Sequence, residues 1–519
     1  MKAETRSLAA RAIAGVGWNS LGGLISSLCS LWIGIVLARI LGPRPYGQVI
    51  VASTIYGFAN LFVDGGFGQA LIQTQELDER EIRRTFTCQI VFGGKTTAIV
   101  FVLAPSIARA FHDPSAVPVI QASGLVIVLQ SLGLVSAALL RRRMQFHVIQ
   151  YAGVASYLFG FLLLGIPLSL AGAGVWSLVA ALLCQSLLNS LLLYCAVRHS
   201  IMPSFGLPRR STLAFGGTVV ANNLVNWGHA NLDNLAAAQL GPVGLGLYGR
   251  ACNFAYQPVN TAATALQSVL MASAARAQQR EHVREMMLCT IAAVFGVLGC
   301  AYAVLAAIPD TAIVGLFGDK WVGVIPAILP LAMAMPFYGA HCLLGPIVCG
   351  LGRPRLEFLP EAISCAAGAA AFFAAGHYSI VAIAWVLFAV MLLRFGLTAG
   401  SAFRLLEIRW TRALSTLGRR ALFAAMFGGM AWSADQVLRA PFHFGAEERL
   451  AILFLFCAGT LGWTVWASGE LVFGHEAIAF LNRYVDSLPG CYAKQIQLQA
   501  GRRPSVGAVG PENSAEVAG

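Results

Sequence analysis

The sequence predicts an all-α integral membrane protein with about fourteen transmembrane helices. Of its 519 residues, 57% are hydrophobic and only 11% are charged, whereas a typical soluble domain carries about 25% charged residues. Long stretches also lack every Asp, Glu, Lys and Arg, and each is long enough to cross a bilayer, which takes about 20 residues. These stretches are 12–38, 114–140, 251–275 and 286–309, and the stretch 144–197 is long enough for two crossings.

The apolar segments and the polar breaks between them predict the individual crossings. They lie near residues 14–38, 46–72, 86–109, 118–140, 149–171, 175–197, 213–238, 245–274, 286–309, 322–350, 357–376, 379–400, 421–438 and 450–469. The segments between them are too short to hold a soluble catalytic domain.

The basic residues predict how the crossings are oriented. With a cytoplasmic N-terminus, most of the 35 Lys and Arg residues fall in the inner segments, and the outer segments hold only Arg44, Lys320, Arg439 and Arg449. This is the positive-inside pattern. It predicts a multi-pass membrane protein with both termini in the cytoplasm. It also explains the net charge of +12 by topology and contact with anionic lipid, so we expect no nucleic-acid partner.

One seven-residue pattern occurs twice, as L-G-P-R-P-Y-G at 41–47 and as L-G-P-V-G-L-G at 240–246, 199 positions apart. The copies follow the first and the seventh crossing, so an even number of crossings separates them. The repeat predicts two parallel six-helix lobes in a pseudo-two-fold arrangement, a known transporter plan. Alternatively, Gly and Pro mark ordinary membrane turns.

The repeat and the crossings together predict the domain organisation. The N-terminal lobe spans 1–200, the C-terminal lobe 201–405, and two extra helices 406–470, followed by a cytoplasmic tail, 471–519, whose end is disordered.

Ionisable residues inside membrane spans are costly and are therefore functional candidates. Lys95 lies about ten residues into the third span, near the predicted bilayer centre, next to Gly93 and Gly94. A buried ammonium group needs a counter-charge, which is either Asp64 in the second span or a phosphate of the substrate.

The seventh span carries a polar stripe formed by Asn222, Asn226, His229 and Asp233. These four residues lie within about 40° of one direction on a helix. The stripe either bonds to partner helices or lines a cavity for a hydroxyl-rich or ionic ligand. Asp64, Asp233 and His229 are the groups expected to carry a coupling proton.

Further charged residues flank the two copies of the repeat. We expect an ion pair between Asp233 and Arg250, which lie at similar depth around the second copy. Arg39 occupies the matching place at the first copy without an obvious acid. Arg109 and Arg394 lie close enough to span ends to extend toward the membrane surface.

The sequence contains none of the patterns of a catalytic site. It has no P-loop and no pairing of a nucleophile with a base, and its 12 cysteines form no C-x-x-C pair or zinc spacing. We therefore predict a transporter rather than an enzyme, with no cofactor and no metal. An integral-membrane glycosyltransferase would need a larger periplasmic loop or a pair of catalytic acids.

Several segments resemble the bacterial polysaccharide-export flippases of the Wzx type. They are residues 15–24 (G-V-G-W-N-S-L-G-G-L), 37–47, 64–73, 172–179, 231–241, 245–251 and 317–321 (F-G-D-K-W). The resemblance covers about residues 20–480 and implies membership of the multidrug/oligosaccharidyl-lipid/polysaccharide exporter superfamily. Such proteins have two six-helix lobes with extra C-terminal helices.

The resemblance implies a function. Proteins of this type lie in the bacterial inner membrane. They move an undecaprenyl-pyrophosphate-linked oligosaccharide from its cytoplasmic to its periplasmic leaflet, for exopolysaccharide, capsule or O-antigen biosynthesis. Lys95 and Arg250 then match the pyrophosphate-binding cations by type, and the first span, uncharged over 12–38, differs from the arginine-richer lipid II flippases.

The expected partners are the lipid-linked oligosaccharide, membrane lipids and the polysaccharide polymerase and chain-length or export machinery. The substrate-binding candidates are Lys95, Asn222, Asn226, His229, Asp233, Arg250 and Arg39. The alternative function is a cation-coupled small-molecule exporter of the same superfamily.

Overall fold

The protein is described by a computed structural model, which covers residues 22–23, 25–64, 68, 71, 78–204, 210–277, 279–439 and 444–473. In these residues the chain is built from helices and contains no β-strand. The predictions for the first 21 residues and for nearly all of the tail 471–519 fall outside them.

Fourteen long helices follow one another in the described residues. They are α1 (Ile25–Leu41), α2 (Pro43–Asp64), α3 (Glu79–Ala110), α4 (Val117–Arg142), α5 (Phe146–Leu170), α6 (Val175–Val197), α7 (Arg210–Ala237), α8 (Gly241–Arg276), α9 (Arg280–Ala307), α10 (Ile325–Gly350), α11 (Arg355–Ala375), α12 (Ile380–Leu406), α13 (Trp410–Arg439) and α14 (Ala446–Phe473). Within these ranges, nine helices are long and apolar enough to cross a membrane. The predicted all-α membrane fold is therefore confirmed.

Some helices depart from simple α-geometry or from the predicted limits. α5 and α9 each contain a π-helical stretch, Leu158–Gly165 and Val294–Leu298. A short connecting helix, Pro309–Phe317, and a 3-10 turn, Asp319–Val324, precede α10. α3 begins at Glu79 rather than near residue 86, because its first polar turns are also helical and extend beyond the apolar segment.

The two copies of the repeated pattern have the same local conformation. Gly42 and Gly241 adopt φ values of 78° and 76°, a left-handed region that glycine enters without steric cost. In each copy a proline follows in the first turn of the next helix, α2 or α8. An N–H group at this position would have no partner within the helix, so proline is tolerated there. Both copies therefore end one helix and begin the next.

The two copies also pack directly against each other. A Cβ atom at Gly47 would overlap the carbonyl oxygen of Pro242, and a Cβ atom at Gly246 would overlap the carbonyl oxygen of Pro43. Further along, Gly249 contacts Ile50, which is its counterpart at the same 199-residue offset. The contacts are reciprocal, since each copy packs against the equivalent positions of the other copy.

The buried core runs through the middle of the molecule. Its largest cluster joins α2 and α8 to α10 and α12, and its bulkiest fully buried side chains are Trp321 and Tyr248. A second cluster, which includes Met287, Leu344 and Phe403, lies between α9, α10 and α12. Apolar side chains also cover the outer faces of the helices, as expected for a protein surrounded by lipid.

Helix ends that the charge pattern assigns to one side of the membrane lie together. The start of α3 and the ends of α4 and α6 enclose a cavity of about 550 Å³ that is lined by Arg142, Arg143 and Arg198. The start of α9, the end of α12 and the start of α13 enclose a second cavity of about 520 Å³, with Arg284 and Arg412 in its lining. Both basic cavities thus stand at helix ends predicted to be cytoplasmic.

Candidate functional site

A pocket lies between α1, α2, α5 and α6 on one side and α8 on the other. Its volume is about 370 Å³, within the usual range for small-molecule sites of about 300–1,000 Å³. Leucine, valine and aromatic side chains form most of its wall, and among the described residues Arg250 is the one charged side chain that lines it. Its other polar side chains include Ser30, Asn253 and Gln257.

Aromatic rings and a close helix hold the guanidinium of Arg250. Its Cζ lies 5.4 Å from the ring centroid of Tyr46 and 5.0 Å from that of Phe317, distances at which a cation is attracted to the face of the ring. The backbone of α1 passes so near that a Cβ at Gly34 would stand 2.7 Å from Nη2. These contacts fix the position of the side chain.

Among the described side chains, the charge of Arg250 has no partner of opposite sign. Its Nε is buried and has no hydrogen-bond partner, and no carboxylate in the described part of the chain pairs with it. Guanidinium groups bind carboxylate and phosphate oxygens through paired hydrogen bonds. The pocket is thus suited chemically to an anion that enters from outside the protein.

Polar side chains from α8 continue along the same pocket. Gln257 donates a hydrogen bond from Nε2 to Oγ of Ser30 at 2.9 Å, which joins α8 to α1. Asn253, one turn after Arg250, is exposed within the lining. The amide groups supply both donors and acceptors, so the wall of α8 offers hydrogen bonds next to the cation.

Lys95 does not occupy the interior position predicted for it. Its side chain is exposed on α3, on a face with Val91, Ile99 and Val102, which are also exposed. The opposite face of α3 packs against α4, where Gly93 meets Ser131. A face of large apolar residues suits acyl chains rather than a phosphorylated ligand, so the expectation of a buried ammonium is wrong.

The polar stripe on α7 bonds in part to neighbouring helices. Nε2 of His229 lies 2.7 Å from the carbonyl oxygen of Glu361 on α11, and Asp233 accepts a hydrogen bond from the hydroxyl of Tyr248 on α8 at 3.2 Å. Asn226 is exposed, and the side chain of Asn222 lies outside the described residues. The stripe therefore joins helices at His229 and Asp233, which favours the first of the two interpretations at those residues.

The predicted ion pair between Asp233 and Arg250 is not formed. Asp233 is buried and accepts from Tyr248 and from the backbone N–H of Asn234 at 2.8 Å. Arg250 instead turns toward Tyr46 and Phe317. The side chain of Arg250 thus points away from Asp233. Their similar depth in the predicted membrane does not reveal these directions. The side chain of Asp64, the third coupling candidate, lies outside the described residues.

A buried ion pair in the C-terminal half escaped the sequence analysis. Nε of Arg394 on α12 donates to Oε2 of Glu361 at 2.7 Å, and Nη2 donates to Oε1 of the same carboxylate. Nε2 of His341 on α10 lies 3.4 Å from Oε2. The prediction that Arg394 reaches the membrane surface is wrong, since it is buried. The sequence signal that could have revealed this pair is Glu361, because an acidic residue inside the predicted span 357–376 needs a partner.

Arg39 has an acidic partner that the sequence did not reveal. Its Nη1 lies 2.5 Å from Oε1 of Glu447 on α14, and its Nε donates to the carbonyl oxygen of Leu316 at 2.6 Å. Nζ of Lys320 and Nε1 of Trp321 donate to the carbonyl oxygens of Ile40 and Ala38 at 2.9 and 3.0 Å, at the end of α1. We call these contacts of Arg39, Lys320, Trp321 and Glu447 the α1 clamp.

No metal site is found in the portion of the chain that the structure describes. There, no three His, Cys, Asp or Glu side chains are grouped closely enough to hold an ion.

Comparisons with known proteins relate the sequence to proteins of polysaccharide biosynthesis. A family model described as polysaccharide biosynthesis protein matches residues 36–326. The chain is 26% identical over 468 residues to the succinoglycan biosynthesis transport protein ExoT of Rhizobium meliloti, covering 87% of this chain and 91% of that protein. It is 24% identical over 366 residues to the lipopolysaccharide biosynthesis protein WzxC of Escherichia coli, covering 68% and 72%.

Comparisons with solved structures relate the fold to membrane transporters. The lipid II flippase MurJ in its inward closed conformation superposes with a TM-score of 0.69 at 10% identity, covering 86% of this chain and 98% of that one. An inward-facing multidrug resistance transporter of the MATE family, in the MOP superfamily, superposes with a TM-score of 0.54 at 15% identity, covering 79% and 98%. The chain therefore shares the fold of these two transporters.

Proposed function

Since this chain belongs to the polysaccharide biosynthesis protein family, we propose that it moves undecaprenyl-pyrophosphate-linked oligosaccharide repeat units from the cytoplasmic to the periplasmic leaflet of the bacterial inner membrane. The repeat units serve exopolysaccharide, capsule or O-antigen biosynthesis. In support, a relative that this chain matches over most of its length is named a succinoglycan biosynthesis transport protein. The fold is also shared with a lipid II flippase. The protein is then a transporter rather than an enzyme, and its partners are the lipid-linked oligosaccharide and membrane lipids.

The observation that carries this proposal is the guanidinium of Arg250, which has no acidic partner in the described residues. A pyrophosphate carries several negative charges, and its attraction to a cation is stronger in apolar surroundings than in water. The planar guanidinium also matches the spacing of phosphate oxygens. We therefore assign pyrophosphate binding to Arg250 and not to Lys95, which lies on an exposed apolar face.

Transport is proposed to proceed by alternating access between two lobes. We assign residues 1–200 and 201–405 to the lobes, 406–470 to the additional helices and 471–519 to a cytoplasmic tail. The reciprocal packing of the two repeat copies supports lobes that run in the same direction. Because the pocket of Arg250 is enclosed by first-lobe helices and α8 of the second lobe, rocking of the lobes changes access to it.

The α1 clamp sets a requirement for this movement. It joins the end of α1 to the connecting helix, the 3-10 turn and α14, so the lobes can separate at this end only if its hydrogen bonds break. We place this end on the periplasmic side, with both chain termini in the cytoplasm. This orientation follows from the excess of basic residues at the opposite helix ends.

Complementation tests the proposed function. In a strain without a redundant flippase, deletion is expected to abolish surface polysaccharide and to accumulate lipid-linked repeat units in the cytoplasmic leaflet. Plasmid-borne protein restores export, Arg250→Lys restores it in part, and Arg250→Ala does not. Arg109→Ala is the matched control, since Arg109 is exposed and bonds to Pro105 and Ser106 of its own helix.

Each alternative has its own outcome. Normal surface polysaccharide in the deletion strain would overturn the proposed function, and drug sensitivity in the same strain would indicate a cation-coupled exporter instead. Full export by Arg250→Ala, at wild-type protein levels, would remove Arg250 from the site.

A further inference from the structure

The pocket of Arg250 contains an aromatic pair that is separate from the two rings stacked on the arginine. The rings of Tyr157 and Phe161 on α5 stack with centroids 4.9 Å apart and an interplanar angle of 28°, and both line the pocket. The cation is held by the rings of Tyr46 and Phe317 instead. Binding of the Arg250 guanidinium therefore does not account for the presence of the Tyr157–Phe161 pair in the pocket.

The pair stands where the helix departs from α-geometry. The π-helical stretch Leu158–Gly165 begins directly after Tyr157 and contains Phe161. Such stretches occur often at functional sites, because the extra residue per turn changes the direction of the side chains. Both rings are only partly buried, so part of their surface remains open to the cavity.

The same pocket presents hydrogen-bonding groups beside these rings. Asn253 and Gln257 follow Arg250 by three and seven residues on α8, which places the three side chains on one face of the helix. The bond from Gln257 to Ser30 fixes the orientation of its amide. A cation, two amides and an aromatic wall thus share one cavity of about 370 Å³.

We propose that the rings of Tyr157 and Phe161 and the amides of Asn253 and Gln257 form a subsite for the pyranose ring that is attached to the diphosphate. A pyranose has an apolar C–H face that packs on aromatic rings and hydroxyl groups at its edge that pair with amides. The prenyl chain of the same substrate is a poorer occupant, since it would cover the exposed amide of Asn253 without offering it a hydrogen bond. Apart from Arg250, the described lining holds no charged side chain, so the subsite is suited to a neutral sugar.

This inference rests on the proposed function, and binding measurements with two probes test both. The full-length protein in lipid nanodiscs is titrated with farnesyl pyrophosphate and with farnesyl-pyrophosphoryl hexoses (glucose, galactose and N-acetylglucosamine), and binding is followed by thermal shift. The variant Tyr157→Leu/Phe161→Leu keeps apolar volume and removes the aromatic faces. Phe159→Leu is the matched control, because Phe159 lies in the same π-helical stretch, is exposed and does not line the pocket.

We expect the wild-type protein to bind at least one sugar-bearing probe more tightly than farnesyl pyrophosphate. The double variant should lose about tenfold in affinity for that probe and bind farnesyl pyrophosphate as the wild type does, which also shows that it is folded. Arg250→Ala should weaken the binding of both probes, and Phe159→Leu should change the binding of neither.

Other results would contradict the assignment. An unchanged affinity of the double variant for the sugar-bearing probe would overturn the subsite alone. The subsite would also be overturned if the double variant lost affinity equally for both probes, or if the wild-type protein bound both probes equally tightly. Failure of the wild-type protein to bind either probe would overturn the proposed function and this inference with it.

Discussion

Gly47 and Gly246 occupy equivalent places in the two copies of the repeat, and each packs against the backbone of the other copy. Neither position has room for a side chain, because the carbonyl oxygens of Pro242 and Pro43 fill the space. The two halves of the chain therefore meet at the segments that the repeat singles out.

Gly47→Ala and Gly246→Ala should each destabilise this contact. Forcing a methyl group into a packed interface typically costs about 1–3 kcal/mol, and here the obstacle is backbone that cannot move aside. Thermal unfolding of the purified protein in detergent measures the effect. Gly94→Ala is the control, since nothing lies near a Cβ at that position, and it should leave the unfolding temperature unchanged or slightly raised. Equal behaviour of all three variants would contradict the close packing.

Breaking the buried pair of Glu361 and Arg394 should lower stability strongly. Arg394→Met leaves the carboxylate of Glu361 buried without its partner, a loss of about 3–5 kcal/mol in the free energy of unfolding. The double variant Glu361→Leu/Arg394→Met should recover much of that loss, because no uncompensated charge remains. Thermal unfolding of the three proteins checks this order.

An exposed pair provides the comparison for that experiment. Arg280 and Glu407 lie 3.9 Å apart, and both are largely exposed, so Arg280→Met should change stability by less than about 1 kcal/mol. A loss as large as that of Arg394→Met would show that burial is not the cause.

The α1 clamp should resist opening of the lobes, and its members should contribute unequally. Glu447 is exposed and makes one ion pair, whereas Arg39 also bonds to the carbonyl oxygens of Leu316 and Gly315. We therefore expect Arg39→Ala to increase access to the pocket more than Glu447→Ala does. The measurement is the labelling rate of Ser30→Cys, in a cysteine-free background, by a reagent added from the periplasmic side. A larger effect of Glu447→Ala would contradict the arrangement.

Acidic pH should weaken the packing around His199, which follows α6. Burial lowers the pKa of its imidazole below the usual 6.5, although its hydrogen bond with the carbonyl of Ser200 opposes the shift. The unfolded chain then binds a proton more readily than the folded one. The stabilising contribution is complete above about pH 6.5 and is lost as the pH falls through that value toward the folded pKa.

His199→Gln tests this pH dependence. The ring of His199 contacts Phe86 and Tyr194, and its Nε2 lies 3.1 Å from Oγ of Ser136. The variant should flatten the dependence of the unfolding temperature on pH below about pH 6.5, where one titrating group changes stability by at most about 1.4 kcal/mol per pH unit. An equally steep dependence in the variant would assign the effect to another group.

The interior charges show which predictions a single sequence supports. That Lys95 and Arg250 lie within long apolar helices could be read from the chain, but the direction of their side chains could not. A helix presents each residue to one side only, and the packed side of α3 is the one that carries Gly93. Likewise, Glu361 and Arg394 are 33 residues apart on separate helices, and nothing in their local patterns indicates that they meet.

The sequence by itself determined the helical membrane fold, its long helices and the pair of equivalent turns, because apolar length, charge and glycine–proline turns act locally along the chain. Only the tertiary structure decided which charges are paired. It joined Arg39 to Glu447 and Arg394 to Glu361 and turned Lys95 outward. It placed Arg250 between aromatic rings, where no acid from the described part of the chain reaches it. The physical reason is that the partner of a charge depends on helix rotation and on neighbours distant in sequence, which are fixed only when the helices pack.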